Sequence, residues 1–196
     1  MTAVPYRAGT AAEQVTSGML EVPGGALYYE MRGDGPPLLL VPTGNGDAAQ
    51  YAPLARVLAD RYTVIAYDRR GFSRSRMDRP GPLERRVDTD ARDAYRLLVR
   101  LAGEPAYVLG GSSGAIVALH LLARHPERIR RLVAHEAPLA SVLPDAERWL
   151  GFYAELYERY RSSGPKQAME FFRRSVGMTG TTRPPEHHQP PPEELA

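Results

Sequence analysis

The sequence predicts an α/β fold in which a mostly parallel, twisted sheet carries helices on both faces. Three observations predict it: short β-rich runs alternate with helical ones, one β-rich run is apolar at every position, and the links are short. Parallel strands joined in this way need right-handed crossovers, which place helices on both sides of the sheet. With 196 residues, 43% of them hydrophobic, the chain is long enough to bury the core of such a domain.

The predicted elements alternate after an opening hairpin. The turn Pro23-Gly24-Gly25 separates two β-rich runs and predicts that hairpin. Residues 38–41 are apolar throughout, as a strand covered on both faces must be, and a helix with apolar residues at helical spacing ends at Gly103. In order, we predict strands over 19–22, 27–31 and 38–41, a helix over 49–58, a strand over 62–67, a helix over 90–102, a strand over 106–109, a helix over 113–124 and a strand over 129–134.

From Pro144 onward the pattern changes to helices without strands. Helices are predicted over 146–161 and 167–176, and the first carries a stripe formed by Trp149, Tyr153, Leu156 and Tyr160. This stripe either packs within a cap or lines a substrate pocket as a lid. The final residues are rich in proline and glutamate, which predicts an extended tail. We therefore expect an α/β core over 1–140, the start of a helical cap over 141–178 and a tail over 179–196, without closing strands for the sheet.

Composition excludes several classes of protein. The chain has no cysteine, which excludes disulfides, zinc-thiolate sites and a cysteine nucleophile. Its 25 basic residues include one lysine, Lys166, and the arginines are scattered among acids, as in residues 88–93, so no basic patch for nucleic acid is formed. The apolar runs are far shorter than the roughly 18 residues of a membrane span, and the N-terminus has no signal-peptide core. We expect a cytoplasmic protein without nucleic-acid or membrane partners.

A Gly-x-Ser-x-Gly motif centred on Ser112 lies between a predicted strand and a predicted helix. A serine in such a sharp turn has strained backbone angles and needs neighbours without bulk, which Gly110 and Gly114 supply. The turn would lift the hydroxyl above the carboxyl edge of the sheet, and the Ser113 amide would face the same space and stabilise an oxyanion. A frame centred on Ser113 ends in Ala115, so Ser112 fits better. The context favours a nucleophile over a turn that only caps a helix.

The Gly-x-Ser-x-Gly turn over residues 110–114, called the elbow below, and two further segments resemble the α/β-hydrolase superfamily, over about residues 18–140. Residues 38–46 resemble the strand and oxyanion loop of that family. When Tyr51 is set on the family's usual aromatic residue, Gly44 falls on the position whose amide completes the oxyanion hole. Pro42 and Thr43 stand where the family has His-Gly. The group that stabilises the oxyanion is a backbone amide, however, so the resemblance still implies a place in the oxyanion hole for Gly44.

The third segment, residues 67–75, resembles the family's Asp-x-Arg-Gly-x-Gly-x-Ser turn, with Ser73 where glycine is usual. The resemblance implies a mainly structural role for this turn. We expect Asp68 and Arg70 to form a buried ion pair in the loop, because such a pair is costly but specifies one geometry.

The resemblance also implies that an acid and then a histidine follow Ser112 in the chain, since a serine is a poor nucleophile until a base takes its proton. No strand with such a histidine is predicted after 129–134, so we expect the base to lie outside the assignable sequence. Of the five histidines, we expect His120 and His125 to be structural or solvated. His135, at the carboxyl edge, should be within reach of the pocket. His187 and His188, in the tail, should lack a fixed position.

Glu136 is the candidate acid. It ends the strand that follows the nucleophile's helix, where some α/β-hydrolases place their acid. The alternative is a carboxylate that caps a loop or pairs with a nearby arginine. Our hypothesis is that Glu136 faces Ser112 across the pocket.

These residues predict a serine hydrolase that transfers the acyl group of a small ester or amide, and no metal or organic cofactor is implied. Three alternatives stay open. The chain is a truncated or split hydrolase that needs a complementary segment or a second copy, a non-catalytic binding module that uses the same cleft, or a cofactor-free perhydrolase or haloperoxidase, which resembles this family in its triad.

Overall fold

The computed structural model describes residues 14–178, which form two compact units, the first ending at Pro138 and the second beginning at Leu139. The first unit contains strands β1 (Thr16–Val22), β2 (Gly25–Arg32), β3 (Pro37–Val41), β4 (Thr63–Tyr67), β5 (Arg76–Met77), β6 (Ala106–Gly111) and β7 (Ile129–His135), and helices α1 (Ala52–Leu58), α2 (Arg86–Leu101) and α3 (Ser113–Arg124). The second unit contains α4 (Ala146–Ser163) and α5 (Pro165–Ser175).

The strands form one mixed sheet in the order β1-β2-β4-β3-β6-β7, and the short strand β5 pairs with β2. The predicted hairpin β1-β2 is antiparallel, as is the pair β2-β4. The pairs β3-β4, β3-β6 and β6-β7 are parallel, so the carboxyl ends of these four strands meet at one edge of the sheet. In open α/β sheets this edge is the one that binds ligands.

The residues of β3 alternate between two core clusters. Leu39 and Val41 belong to the larger cluster, with buried residues of α2 and α3. Leu38 and Leu40 belong to the smaller one, together with Ala55 of α1. Because successive side chains of a strand point to opposite faces, helices cover both faces of the sheet. The predicted fold class is therefore confirmed, including the strand that is apolar at every position.

Two elements differ from the prediction for a local reason. The predicted helix over 49–58 is divided into a 3-10 turn, Ala48–Tyr51, and α1, which begins next to Pro53 because proline is tolerated only in the first turn of a helix. Helix α2 begins at Arg86, before the expected start at Asp90, so Asp90 is inside the helix and buried. The two-residue strand β5 was not predicted.

The second unit is a pair of helices joined at Gly164, whose φ of 85° allows the sharp turn between them. Phe152 of α4 packs against the rings of Phe171 and Phe172 of α5. The predicted stripe of α4 is only partly covered, and three of its members, Tyr153, Leu156 and Tyr160, line an apolar hollow of about 340 Å³ within this unit. A role for this unit as a cap or lid stays a prediction, and the expected tail over 179–196 lies outside the described residues.

Within residues 14–178, the helices lack the combination of length and apolar character that a membrane span requires.

Candidate active site

Ser112 occupies the single residue between β6 and α3, with φ 51° and ψ −123°. Residues other than glycine rarely adopt a positive φ, and such a conformation costs on the order of 1–3 kcal/mol. Two backbone hydrogen bonds hold it: the Ser112 N–H donates to the His135 carbonyl at 2.8 Å, and the Ser112 carbonyl accepts from the Ala115 N–H at 2.9 Å. The Ser112 side chain is exposed.

The two glycines of the motif are required by close backbone contacts. A Cβ on Gly110 would lie 2.5 Å from the Gly114 carbonyl oxygen, and a Cβ on Gly114 would lie 2.4 Å from the Pro42 carbonyl oxygen. Neither backbone atom can move without disturbing β3 or the start of α3. The turn that exposes Ser112 therefore depends on both glycines, as the sequence predicts.

An open cleft of about 370 Å³ lies over the carboxyl ends of β3, β6 and β7. Its lining includes the proposed nucleophile, the candidate acid and one histidine, together with apolar and hydroxyl side chains: Thr43, Tyr51, Leu54, Leu109, Gly111, Ser112, Val133, His135 and Glu136. The structure thus brings Ser112 and Glu136 to the same cleft. Glu136 also has a positive φ, 51°, directly after the end of β7.

Two backbone amides with free donors flank this turn. Ser113 is the first residue of α3, so its N–H has no partner within the helix. Gly44 is exposed in the loop after β3, and no hydrogen bond within residues 14–178 uses its N–H. A Cβ on Gly44 would lie 3.9 Å from the Ser113 Oγ, so the two residues are neighbours. Amides in this arrangement can stabilise a negative oxygen.

Tyr51 closes one side of the cleft as a neutral hydroxyl. Its Oη donates to the Val41 carbonyl at 3.3 Å. Burial raises the pKa of Tyr51 above its ordinary value, and this effect outweighs a hydrogen bond with the Gly111 backbone that acts in the opposite direction. The wall beside Gly111 is therefore uncharged at neutral pH. Among the described residues, no group of three or more His, Cys, Asp or Glu is arranged to hold a metal ion.

The expected ion pair between Asp68 and Arg70 is wrong. Asp68 is fully buried and accepts from Arg74 Nε at 2.7 Å, whereas Arg70 forms two hydrogen bonds of 2.7 and 2.8 Å with Asp93 of α2. Desolvation lowers the pKa of Arg74, but its contacts with Asp68, Tyr28 and Glu30 together outweigh this effect and raise the pKa above its ordinary value. The turn makes structural contacts, but Asp68 is neutralised within it by Arg74, whereas Arg70 is neutralised by Asp93 of α2.

The same turn holds the loop that carries Gly44. Asp68 accepts a hydrogen bond from the Ala48 N–H at 2.8 Å, and the Gly46 carbonyl accepts from the Arg69 N–H at 2.7 Å. Ser73, which stands where the family has glycine, keeps a positive φ of 43° and donates to Asp47 at 2.7 Å. The turn over residues 67–75 therefore fixes the geometry of the loop that carries Gly44.

The histidines divide as follows. His120 contacts Asp88 and accepts from Arg124, and His125 stacks on Tyr95 with 3.8 Å between ring centroids, so both have structural partners. His135 lines the cleft, but its ring is 68% exposed and its Nδ1 lies 4.0 Å from the Glu136 carboxylate. His187 and His188 lie outside the described residues.

Comparison with known families decides the relationship that this geometry indicates. The model of the family described as "alpha/beta hydrolase fold" matches residues 36–175 of the chain, which include the loop of Gly44 and the elbow of Ser112. The chain belongs to the α/β-hydrolase fold family.

Related α/β-hydrolases are longer than this chain. An uncharacterized hydrolase of Bacillus subtilis, YraK, is 45% identical over 130 residues, which cover 66% of this chain and 47% of that protein. Zearalenone hydrolase of Cladophialophora bantiana is 33% identical over 136 residues, covering 67% of this chain and 50% of that protein. The chain thus spans about half the length of these curated relatives.

A solved α/β-hydrolase structure agrees with the fold. The crystal structure of ALR0039 from Nostoc sp. PCC 7120 superimposes with a TM-score of 0.61 at 24% identity, covering 74% of this chain and 52% of that one. At this identity the likeness concerns the fold.

Two buried residues of this α/β-hydrolase that lie next to the site, Arg69 and Asp90, were not predicted from the sequence. The acids of residues 88–93 were interpreted only as charges among which the arginines are scattered. The signal was present in the spacing, because Asp90 and Asp93 fall on the same helix face as the buried Ala94 and Leu97. A carboxylate on the apolar face of a helix is a sign of a buried partner.

Proposed function

We propose that this chain is a serine hydrolase that acts on a small ester or amide by acyl transfer, with Ser112 as the nucleophile. The observation that carries the proposal is the conformation of Ser112. A serine that only caps a helix has an extended backbone, and its side chain accepts a hydrogen bond from the first turn. Ser112 has a positive φ and makes no such bond, and its side chain is exposed in a cleft. The names of the two relatives, both hydrolases, support the same class of reaction.

In the proposed reaction, the Ser112 Oγ attacks the carbonyl carbon of the substrate and loses its proton to a base. The carbonyl oxygen becomes an oxyanion that accepts hydrogen bonds from the Gly44 and Ser113 amides. Collapse of this intermediate breaks the bond to the alcohol or amine, which takes the proton from the base. Water then attacks the acyl-enzyme by the same steps and releases the acid.

The proposed acid is Glu136, and the proposed base is a histidine outside the assigned elements of this chain. Glu136 lines the same cleft as Ser112, and this shared lining supports the assignment. His135 is the alternative base, since it also lines the cleft. Its ring is exposed and its contact with the Glu136 carboxylate is long, 4.0 Å, whereas a general base must be held in place.

The share of the relatives' length that the chain covers favours a second proposal, an activity that needs a complementary segment. Because the chain spans about half of those proteins, the activity would belong to an assembly in which a complementary segment adds the base. In that case the isolated chain binds ligands in the cleft but is labelled slowly or not at all, and addition of the complementary segment restores labelling.

Labelling by a fluorophosphonate probe tests the proposal. The full chain should be labelled at Ser112, as mapped by mass spectrometry, and Ser112→Ala should abolish labelling. Ser162→Ala, which changes an exposed serine on α4, is the matched control and should be labelled like the unmodified chain. Ser113→Ala should still be labelled at Ser112, because the backbone amide of residue 113 remains. Equal labelling of Ser112→Ala would refute the proposal.

A further inference from the structure

A buried arginine lies behind the two amides that the proposed function assigns to the oxyanion. Arg69 follows β4 and is 6% exposed. Its Nε and Nη2 both donate to the same oxygen of Asp90, which is 1% exposed on α2. This pair neutralises the guanidinium on one side only, and one amino group is left to bond elsewhere.

That remaining group joins the two segments that carry the amides. Arg69 Nη1 donates to the Thr43 carbonyl at 3.1 Å and to the Ser113 Oγ at 3.0 Å. Thr43 precedes Gly44 in the loop after β3, and Ser113 is the first residue of α3. One rigid, planar cation thus fixes the distance between the oxyanion loop and the elbow.

The contact with Thr43 also acts on the Gly44 amide directly. The Thr43 carbonyl and the Gly44 N–H belong to one peptide unit, and in a trans peptide these two groups point in opposite directions. Because the carbonyl points to the buried guanidinium, the N–H points away from it, toward the exposed side where Gly44 lies. A cation that donates to the carbonyl also polarises the peptide, which makes its N–H a stronger donor.

We infer that Arg69 is the positioning residue of the oxyanion hole: it orients and polarises the Thr43–Gly44 peptide for the charge that develops on the substrate oxygen. This inference rests on the proposed function. Arg69 does not touch the substrate and acts through the peptide. The Arg69 side chain is buried and its contact with Thr43 is partly buried, so the electrostatic interaction is screened less than in water.

Arg70 provides a matched control within the same turn. It is also 6% exposed and forms a pair with a buried carboxylate of α2, Asp93. Its remaining amino group, however, donates to the Pro23 carbonyl in the turn of the β1-β2 hairpin, at 2.7 Å. A change at Arg70 therefore disturbs a buried ion pair of the same kind without touching the loop of Gly44 or the start of α3.

The test compares Arg69→Lys with Arg70→Lys in the full chain, because lysine keeps the charge but cannot bond to the carboxylate and to Thr43 together. Fluorophosphonate labelling is followed at several probe concentrations to separate probe binding from the maximal rate. We expect Arg69→Lys to lower the maximal rate about 10- to 100-fold, with probe binding changed by less than about threefold. Arg70→Lys should lose about as much thermal stability as Arg69→Lys, but its maximal rate should stay within about twofold of that of the unmodified chain.

An NMR measurement gives a readout that loss of stability does not move. The amide nitrogen resonance of Gly44 should shift in Arg69→Lys, because the peptide loses its polarising partner, and should stay in place in Arg70→Lys. If Arg69→Lys does not fold, the double variant Arg69→Gln with Asp90→Asn, which leaves no unpaired charge between these two residues, must show the same selective loss of rate.

A folded Arg69 variant with an unchanged maximal rate, or an equal loss of rate in Arg70→Lys, would overturn the inference. Labelling of Ser112→Ala at the rate of the unmodified chain, or absence of labelling in the unmodified chain both alone and with the complementary segment, would instead overturn the proposed function, and the role of Arg69 at an oxyanion with it.

Discussion

Ser112 and Glu136 share an unusual backbone conformation, a φ of 51°, immediately after two neighbouring strands. Gly111 at the end of β6 pairs with His135 at the end of β7, so the two strained residues emerge from the sheet side by side. Each conformation costs on the order of 1–3 kcal/mol and persists only where surrounding contacts determine it. For Ser112, those contacts include the hydrogen bond to the His135 carbonyl and the close approach of Gly114 to β3.

Gly114→Ala tests whether this close approach is required. Alanine usually stabilises a helix relative to glycine by about 1 kcal/mol, but here its Cβ would meet the Pro42 carbonyl oxygen at 2.4 Å. We expect a loss of about 2–3 kcal/mol in the free energy of unfolding, measured by urea denaturation. Gly103→Ala is the control, since a Cβ there meets nothing within 4 Å, and it should change stability by less than about 0.5 kcal/mol. Equal stability of the two variants would contradict this view of the elbow.

The buried Tyr67 should make the stability of the fold depend on pH in the alkaline range. Burial raises the pKa of its phenol, the Asp90 carboxylate adds to the rise, and the Tyr67 hydroxyl has no hydrogen-bond partner within residues 14–178. The folded state therefore holds this proton more tightly than the unfolded state. Its contribution to stability is complete below the unfolded pKa of about 10 and is lost as the pH rises above that value.

Tyr67→Phe should remove this dependence. Urea denaturation at about pH 8 and about pH 11 should show a smaller loss of stability for the variant than for the unmodified chain. Tyr157→Phe, at an exposed tyrosine of α4, is the control and should lose as much as the unmodified chain. A Tyr67→Phe variant that loses as much as Tyr157→Phe would show that the buried phenol is not responsible.

At the scale of elements, α2 joins the sheet through charges as well as through apolar contacts. Asp90 and Asp93 lie one turn apart on its buried face and receive Arg69 and Arg70, two successive residues after β4. Arg86 adds a further contact to Asp90 at 3.0 Å. This helix therefore fixes the turn that supports the loop of Gly44.

Asp93→Ala should be strongly destabilising because it leaves Arg70 buried without its partner. The two side chains are 2% and 7% exposed, and breaking a buried pair typically costs about 3–5 kcal/mol. Glu155→Ala breaks a pair with Arg159 on α4 whose side chains are about half exposed, and should cost no more than about 0.5 kcal/mol. Urea denaturation of both variants measures the difference. Similar losses would show that the buried pair contributes no more than an exposed one.

At the scale of the whole molecule, the sheet distributes stability unevenly. Strand β3 is buried at every position and pairs with β4 on one side and β6 on the other. Strand β7 ends the order of strands in the described sheet, pairs only with β6, and has five exposed residues among its seven. The cleft therefore extends from β3, which is fully buried, to β7, whose residues are mostly exposed.

Hydrogen exchange followed by mass spectrometry should reflect this order. We expect the amides of residues 38–41 in β3 to exchange more slowly than those of Ile129–His135, because local opening needs fewer contacts to break at an edge. Equal protection of the two strands in the full chain would mean that the outer edge of β7 is covered in solution.

The sequence by itself determined the fold class, the order of the elements and the elbow. Period-two and period-3.6 patterns report which faces are buried, and the Gly-x-Ser-x-Gly motif is a continuous run of five residues, so both can be recognised locally. Only the tertiary structure decided which charges pair. Asp68 was expected to bind Arg70, two residues away, but binds Arg74, while Arg70 and Arg69 reach 20 or more residues along the chain to Asp93 and Asp90. The partner of a buried charge is set by which elements the sheet brings together, and no local pattern contains that information.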